Sequence, residues 1–198
     1  MDFLHHYGDI GWIEVICGSM FSGKSEELIR RLRRAQIARQ TVQIFKPAFD
    51  TRYAAAQISS HSDMRLDAIP ITNSAELLSK VLSQTKVIGI DEVQFLDNGI
   101  VEVCVKLANQ GRRVIVAGLD QDYLGKPFEP VPQLLAVAEY ITKTHAICMK
   151  CGRMANHSQR LVAASERLLL GAAGSYEARC RRCFNPHEPQ EPSTTSLL

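Results

Sequence analysis

The amino-acid sequence predicts an α/β fold in which helices cover both faces of a parallel β-sheet. Apolar segments typical of buried strands, such as residues 13–17, 87–90 and 114–117, alternate with segments of helical periodicity. Alternation of this kind implies crossover connections, and these favour parallel strands with ligands at their carboxyl ends. Two cysteine pairs after residue 147 predict a small metal-binding lobe that follows the main domain.

Length and composition allow one main domain with a small appendage. The chain has 198 residues, 45% of them hydrophobic, and a formal net charge of +2. This charge gives no strong argument for a nucleic-acid partner. We interpret the arginines of the first helix as a solvated face: Arg30, Arg31, Arg33 and Arg34. The expected organisation is a nucleotide-binding domain over residues 1–144, a zinc-binding lobe over 145–184 and a disordered, proline-containing tail over 185–198.

Targeting signals are not evident. The first residues lack a basic region followed by an apolar run, and no segment approaches about 18 continuous apolar residues. We therefore expect a soluble cytoplasmic protein that does not act at a membrane.

The elements of the first half follow one another in a regular rhythm. After the strand at 13–17 and the helix at 26–38, residues 41–45 form a second strand that ends at Pro47. Residues 48–67 are polar and aperiodic, as in a functional loop. Residues 68–71 make an edge strand because Pro70 cannot donate to a ladder. Asn73 or Ser74 then caps a helix with an apolar stripe, which consists of Leu77, Leu78, Val81 and Leu82.

The second half continues the alternation. The buried strand Val87–Ile90 is followed by a helix that Asp97 can cap and that runs to Gly111, and then by a strand at 114–117. Residues 118–132 are irregular, and a short helix at 134–138 leads to Tyr140–Thr144, the last predicted strand of the sheet.

The stretch from Gly18 to Ser25 has the spacing of a phosphate-binding loop. Its sequence fits G-x-x-x-x-G-K-[ST], with a strand before it and a helix after it. Inward N–H groups and the positive end of the helix would hold phosphate oxygens. Lys24 would reach the β- and γ-phosphates, and Ser25 would bind Mg²⁺. The alternative is an ordinary glycine-containing turn between a strand and a helix.

Two adjacent carboxylates follow the strand Val87–Ile90. Asp91 is expected to hold Mg²⁺ opposite Ser25, and Glu92 could accept a proton from the attacking nucleophile. Both also have structural interpretations, since acidic residues often follow apolar strands and Glu92 could merely orient water or pair with a lysine. These two carboxylates alone do not decide whether the nucleophile is water, as in an ATPase, or a substrate hydroxyl, as in a kinase.

The cysteines divide into two kinds. Cys17 and Cys104 lie in apolar segments and are interpreted as buried hydrophobic residues. The other four form two C-x-x-C pairs, typical of a structural zinc site with no open coordination position: Cys148, Cys151, Cys180 and Cys183. Reduced, metal-free thiols are the alternative. Because zinc ribbons often bind nucleic acid, a P-loop ATPase with a nucleic-acid-binding zinc ribbon is the second functional hypothesis.

Several motifs in one order resemble the cytosolic, zinc-containing thymidine kinases. The resemblance rests on the phosphate loop, Asp91 to Phe95, Gly118 to Asp120 with Lys126 to Phe128, and the cysteine pairs with Tyr176. It implies a RecA-like domain with a zinc lobe and a substrate-binding lasso, the loop between the cysteine pairs. It also implies transfer of the ATP γ-phosphoryl group to the 5′-hydroxyl of thymidine or deoxyuridine, a homotetramer, inhibition by dTTP, and no nucleic-acid partner.

The resemblance also assigns roles at the phosphoryl-transfer site. Glu92 matches the general base, and Arg52 matches an arginine that offsets charge on the transferred group. Ser25 and Asp91 match the Mg²⁺ positions. The ATP- and phosphate-binding positions are Gly18, Ser19, Met20, Phe21, Ser22, Gly23, Lys24, Ser25, Asp50, Asp91 and Gln94.

For the nucleoside, the resemblance implies backbone contacts from the lasso and an apolar wall around the base. The lasso positions are Arg167, Leu168, Leu169, Leu170 and Gly171. The remaining positions are Met20, Phe95, Leu119, Tyr123, Phe128 and Tyr176, with Met20 matching the residue that touches the thymine methyl group. Without the resemblance, Met20 and Phe128 would be interpreted as core residues. The sequence departs from the family pattern in a shorter stretch at 161–171, in Tyr123 and in Ser19.

Overall fold

The structure, a computed structural model, describes residues 10–48, 57–59, 65–163, 174–187 and 191–192. Its main feature is a six-stranded sheet in the order β5-β2-β6-β7-β1-β8, in which every neighbouring pair is parallel. The six strands are β1 (Trp12–Gly18), β2 (Val42–Pro47), β5 (Ile69–Ile71), β6 (Val87–Ile90), β7 (Arg113–Gly118) and β8 (Tyr140–Thr144). Between β2 and β5 in the chain, β3 (Gln57–Ser59) and β4 (Arg65–Asp67) form a separate antiparallel pair. The predicted parallel α/β fold is confirmed.

Helices cover the two faces of this sheet unequally. Helix α1 (Lys24–Ile37) packs its buried leucines and isoleucine on one face. On the other face lie α2 (Ser74–Lys80), α3 (Gly99–Asn109) and α4 (Val131–Val137), and this layer holds the larger cluster of buried apolar side chains. The central strands β1, β6 and β7 are therefore buried on both sides, which explains why they are mostly apolar, whereas the edge strand β8 is largely exposed.

Across the described part of the chain, no helix combines the length and the apolar sequence that crossing a membrane requires.

The observed helix boundaries refine the predicted ones. Helix α2 begins as predicted, with the Asn73 side chain accepting a hydrogen bond from the Glu76 amide at 2.8 Å. It ends at Lys80, before Val81 and Leu82, because the amide side chain of Gln43 binds the Lys80 carbonyl and the Leu82 N–H. Leu82 is 52% exposed, so its predicted place in the buried stripe was wrong.

The next two helices differ from prediction at their starts. Helix α3 begins at Gly99, and the carboxylate of Asp97 accepts hydrogen bonds from the N–H groups of both Gly99 and Ser74, which ties the starts of α2 and α3 together. Helix α4 begins at Val131 rather than at 134, because Pro132 fits the first turn of a helix, where no intrahelical N–H is needed.

The cysteine-containing lobe consists of short strand pairs. Its strands are β9 (Ala146–Ile147), β10 (Met154–Ala155), β11 (His157–Arg160), β12 (Val162–Ala163), β13 (Tyr176–Arg179) and β14 (Glu191–Pro192). Antiparallel pairs form between β9 and β10 and between β11 and β13, and β12 pairs with β14 in parallel. The backbone of Asn185 is also held by the Gln159 side chain. The described residues of the predicted disordered tail are thus attached to the lobe.

Candidate functional site

The phosphate-binding loop has the backbone that its glycines predict. Gly18 has a φ of 144° and Gly23 a φ of 82°, both in the region that favours glycine. A side chain at Gly18 would also lie 2.3 Å from the carbonyl oxygen of Thr144 on β8. The loop thus curls tightly between the end of β1 and the start of α1, where N–H groups are available for an anion.

Lys24 lies within this loop. Its Nζ donates to the Ser19 carbonyl oxygen at 2.8 Å, and its side chain is buried. The pKa of Lys24 is lowered from its usual value because burial outweighs the opposing effect of the nearby carboxylates of Glu92, Asp91 and Asp120. A buried cation that faces carboxylates across a glycine-rich loop suits the binding of a polyphosphate.

Ser25 and Asp91, the predicted magnesium pair, lie within hydrogen-bond distance of each other. The hydroxyl of Ser25 donates to Asp91 Oδ2 at 3.0 Å, joining the first turn of α1 to the end of β6. Burial and the neighbouring Glu92 raise the pKa of Asp91 well above its usual range, although the Ser25 hydrogen bond lowers it. An oxygen pair of this type fits the ligand preference of Mg²⁺, whose charge would favour the ionised carboxylate.

Glu92 lies on the exposed side of this pair. Its φ of 52° is unusual for a residue other than glycine. Gln94 holds it there: the amide nitrogen of Gln94 donates to Glu92 Oε2 at 2.5 Å, while its oxygen accepts from the Leu119 N–H at 3.0 Å. Gln94, predicted to bind ATP, thus connects the candidate base to the end of β7.

A narrow pocket lies beside the phosphate loop. It is lined by Met20, Leu119, Gln121, Asp122, Tyr123, Phe128, Ser158 and Tyr176. This brings together five of the predicted nucleoside-binding residues. Phe95 also belongs to this region, since its ring packs edge-on against Phe128 at 6.1 Å.

Four residues of this region were missed by the sequence reasoning. Gln121, Asp122 and Ser158 line the pocket directly, and Arg160 lies behind it. Ser158 accepts a hydrogen bond from the backbone N–H of Met20 at 3.0 Å and so connects the lobe to the phosphate loop. No motif spacing in the sequence distinguishes these four residues.

Some predicted site residues lie outside the part of the chain that the structure describes. These are Asp50, Arg52, Arg167, Leu168, Leu169, Leu170 and Gly171. Their assignments stay predictions.

The four paired cysteines come together in the lobe. Their sulfur atoms all lie within 4.8 Å of one another, and those of Cys151 and Cys180 are 3.6 Å apart. A tetrahedron with Zn–S bonds of about 2.3 Å has an edge of roughly 3.8 Å. The donor set and its spacing therefore fit a zinc ion. Cys17 and Cys104 are buried elsewhere in the main domain, as predicted.

Fold and site together define a P-loop nucleotide-binding protein with a zinc lobe, in which a second pocket adjoins the phosphate loop. A family model described as thymidine kinase matches residues 11–184. The chain belongs to the thymidine kinase family.

Individual relatives agree with this assignment. A thymidine kinase of Rhodothermus sp. is 60% identical over 194 residues, which is 98% of this chain and 90% of that protein. A thymidine kinase of Bacteroides thetaiotaomicron is 54% identical over 174 residues, or 88% of this chain and 87% of its own.

A more distant solved structure shares the architecture. The crystal structure of the flagellar accessory protein FlaH from Methanocaldococcus jannaschii matches with a TM-score of 0.54 at 13% identity, covering 76% of this chain and 79% of that one. At this identity the likeness concerns the fold alone.

Proposed function

We propose that the chain transfers the γ-phosphoryl group of ATP to the 5′-hydroxyl of thymidine or deoxyuridine. One observation carries the proposal beyond family membership: Met20 is part of both the phosphate loop and the wall of the adjoining pocket. A nucleoside in that pocket would therefore lie next to the phosphates that the loop holds. This proximity favours transfer to a bound hydroxyl over transfer to water.

The phosphate loop supplies the ATP site in this proposal. Its backbone N–H groups and Lys24 bind phosphate oxygens, and Ser25 and Asp91 hold Mg²⁺. The ion neutralises phosphate charge when bound. The hydroxyl of Ser19 is buried without a hydrogen-bond partner among the described residues, which leaves a further donor in the loop.

Glu92 is the proposed general base. It is exposed, adjacent to the magnesium pair, and held by Gln94 at a fixed position. From there its carboxylate accepts the proton of the 5′-hydroxyl as the oxygen attacks phosphorus. Arg52, in the role that the resemblance implies, offsets charge on the transferred group.

The pocket and the zinc lobe supply nucleoside recognition. Leu119, Tyr123, Phe128 and Tyr176 surround the base, Met20 contacts its 5-position, and the lasso segment 167–171 binds the pyrimidine edge. A structural Zn²⁺ on the four cysteines holds the lobe that carries Ser158 and Tyr176. The described residues leave a cavity of about 10 Å³, which is smaller than a nucleoside, so binding requires the side chains that line the pocket to move apart.

The test is one assay with radiolabelled ATP and Mg²⁺, with and without thymidine. We expect labelled thymidine monophosphate and no free phosphate above background. Phosphate release that does not depend on thymidine would contradict the proposal and favour the ATPase hypothesis.

Three further properties rest on the family resemblance. We propose a homotetramer, inhibition by dTTP as end product, and a cytoplasmic location, where the cysteines of the lobe stay out of disulfides and available to zinc. Light scattering and dTTP titration of the purified protein test the first two. A monomer at micromolar concentration, or activity insensitive to dTTP, would contradict them.

A further inference from the structure

Arg160 occupies an unusual place in the zinc lobe. It is the last residue of β11, and its partner in the ladder is Tyr176, the first residue of β13. One hydrogen bond further, from the Leu161 N–H to the Ser175 carbonyl at 2.9 Å, the ladder ends. Arg160 therefore lies at the point where the chain leaves the two strands toward the lasso.

The Arg160 side chain is buried, with only 1% of the residue exposed. Burial of an arginine is costly unless its donors find partners. Its Nη2 donates to the Tyr176 hydroxyl at 2.8 Å, and its Nε lies 3.3 Å from the same oxygen. The Arg160 Cζ also lies over the Tyr123 ring, 3.7 Å from the ring centre.

These contacts join two segments that are distant in sequence. Tyr123 belongs to the loop after β7, whereas Tyr176 belongs to the lobe, and both side chains line the pocket beside the phosphate loop. Arg160 is not among the described residues that line the pocket. It lies behind the two tyrosines, so its described contacts reach the pocket through their side chains.

We propose that Arg160 is a positioning residue that fixes Tyr123 and Tyr176 and thereby sets the affinity for the nucleoside. The inference rests on the proposed function, since the ligand is taken to be thymidine. The two rings act in binding rather than in chemistry, so the expected effect is on KM for thymidine and not on kcat.

Arginine suits this place for a physical reason. Its planar guanidinium can stack on one ring while its edge donates to a hydroxyl on another. Lysine offers donors but no plane, and methionine offers only bulk. The series Arg160→Lys and Arg160→Met therefore separates the stacking contact and the hydrogen bonds from mere filling of space.

The experiment measures steady-state kinetics of thymidine phosphorylation for the zinc-loaded full chain. Arg160→Met should raise KM for thymidine about tenfold, equivalent to about 1.4 kcal/mol, because the Tyr176 hydroxyl loses its charged donor. KM for ATP and kcat should stay within about twofold of wild type. Arg160→Lys should lie between the two. Arg153→Met, an exposed arginine of the same lobe, is the matched control and should change nothing.

Coupling between residues distinguishes positioning from general stability. Tyr176→Phe removes the same hydrogen bond from the other side, so the double variant with Arg160→Met should have a KM no more than about twofold above that of the worse single variant. Zinc content and the thermal midpoint show whether each variant is folded. If Arg160→Met does not fold, Arg160→Lys and Tyr176→Phe carry the test, each with a raised KM for thymidine.

Two results would overturn the inference. The first is an active wild type whose variants keep the wild-type KM for thymidine, or whose double variant has a KM raised by the product of the two single increases. Either outcome would show that Arg160 does not act through Tyr176. A wild-type protein that does not phosphorylate thymidine at all would overturn the proposed function and the inference with it.

Discussion

At the scale of single residues, the candidate site depends on backbone conformations that few side chains adopt. Glu92 has a left-handed conformation, and such conformations are retained where surrounding contacts enforce them. The Gln94 amide nitrogen donates to the Glu92 carboxylate, and its oxygen accepts from the N–H of Leu119, the residue after β7. The Glu92 carboxylate is thus connected to the end of the sheet.

Replacement of Glu92 by glutamine tests its role as base. Glu92→Gln keeps the shape of the side chain but removes proton acceptance, so kcat should fall by a factor of about 10² to 10⁴. Binding of ATP and thymidine, measured by calorimetry, should stay near wild type. Glu102→Gln, an exposed position on α3, is the control. A Glu92→Gln enzyme with wild-type kcat would exclude the residue as base.

Gly18 offers a test of the phosphate loop. Gly18→Ala should abolish ATP binding and lower the thermal midpoint, because the new methyl group would lie 2.3 Å from a main-chain oxygen of β8. Gly152→Ala separates the two causes of strain, since Gly152 also has a positive φ, of 70°, but no atom lies within 4 Å of its added carbon. That control should cost about 1 kcal/mol of stability and leave ATP binding intact. Normal ATP affinity in Gly18→Ala would contradict the description of the loop.

At the scale of elements, the strands were more predictable than the helix ends. The apolar runs of β1, β6 and β7 are buried on both faces, and this burial accounts for their apolar residues. The edge position of β5 followed from Pro70, which cannot donate to a ladder. Helix ends depended on tertiary contacts instead: Gln43, from a different element, ends α2. No pattern within residues 74–82 contains that information.

The junction of β1, α1 and β7 is held by a buried carboxylate. Glu14 accepts hydrogen bonds from Arg31 at 2.7 Å, from Arg113 at 2.5 Å and from Trp12 at 2.8 Å. Burial opposes ionisation of Glu14, but these donors outweigh it, so its pKa is lower than the usual 4.5. A lowered pKa in the folded state means that Glu14 stabilises the fold above pH 4.5 and that this stabilisation is lost as the pH falls through the lowered pKa.

The Glu14 network predicts a pH-dependent difference in stability. Glu14→Gln should lower the free energy of unfolding by about 1–3 kcal/mol near neutral pH, since charged hydrogen bonds are lost. The difference from wild type should shrink once the pH falls below about 4.5. Chemical denaturation over a pH series measures it, with Glu102→Gln as the exposed control. A difference independent of pH would show that packing, not charge, holds the junction.

At the scale of the whole molecule, the lobe contacts the main domain at the loops that surround the pocket. Ser158 binds the Met20 amide, Arg160 covers Tyr123, and the stacked rings of His157 and Phe184 lie against Gly125. These contacts all involve the phosphate loop or the loop after β7. Two of the three involve the loop after β7, which lines the pocket but is not part of the phosphate loop, so the lobe is expected to affect nucleoside binding more strongly than ATP binding.

Removal of zinc tests this division. Chelation, or Cys183→Ser, should lower the thermal midpoint and raise KM for thymidine at least about tenfold, since metal binding to such a site is part of its folding energy. ATP affinity should change much less. Zinc added back to the chelated wild type should restore both properties. Full thymidine affinity in a preparation free of zinc would contradict a role for the metal in the pocket.

The parts of the candidate site that lie within one short stretch of sequence were predictable. The parts that only folding brings together were not. The phosphate loop and the cysteine pairs each lie within a short stretch, so local spacing reveals them. Tyr123 and Tyr176 were predicted as pocket residues only because of the family resemblance. Arg160 had no signal, because its function depends on two rings that reach it from separate parts of the chain.

Because Met20 belongs to the phosphate loop and also to the pocket wall, the proposed sites of the two substrates share a residue. A substitution of Met20 that admits bulky 5-substituted nucleoside analogues would therefore also disturb the phosphate-binding loop. Selection for broader acceptor range should therefore favour changes at Leu119 or Phe128, which widen the cavity and leave the glycine-rich turn alone.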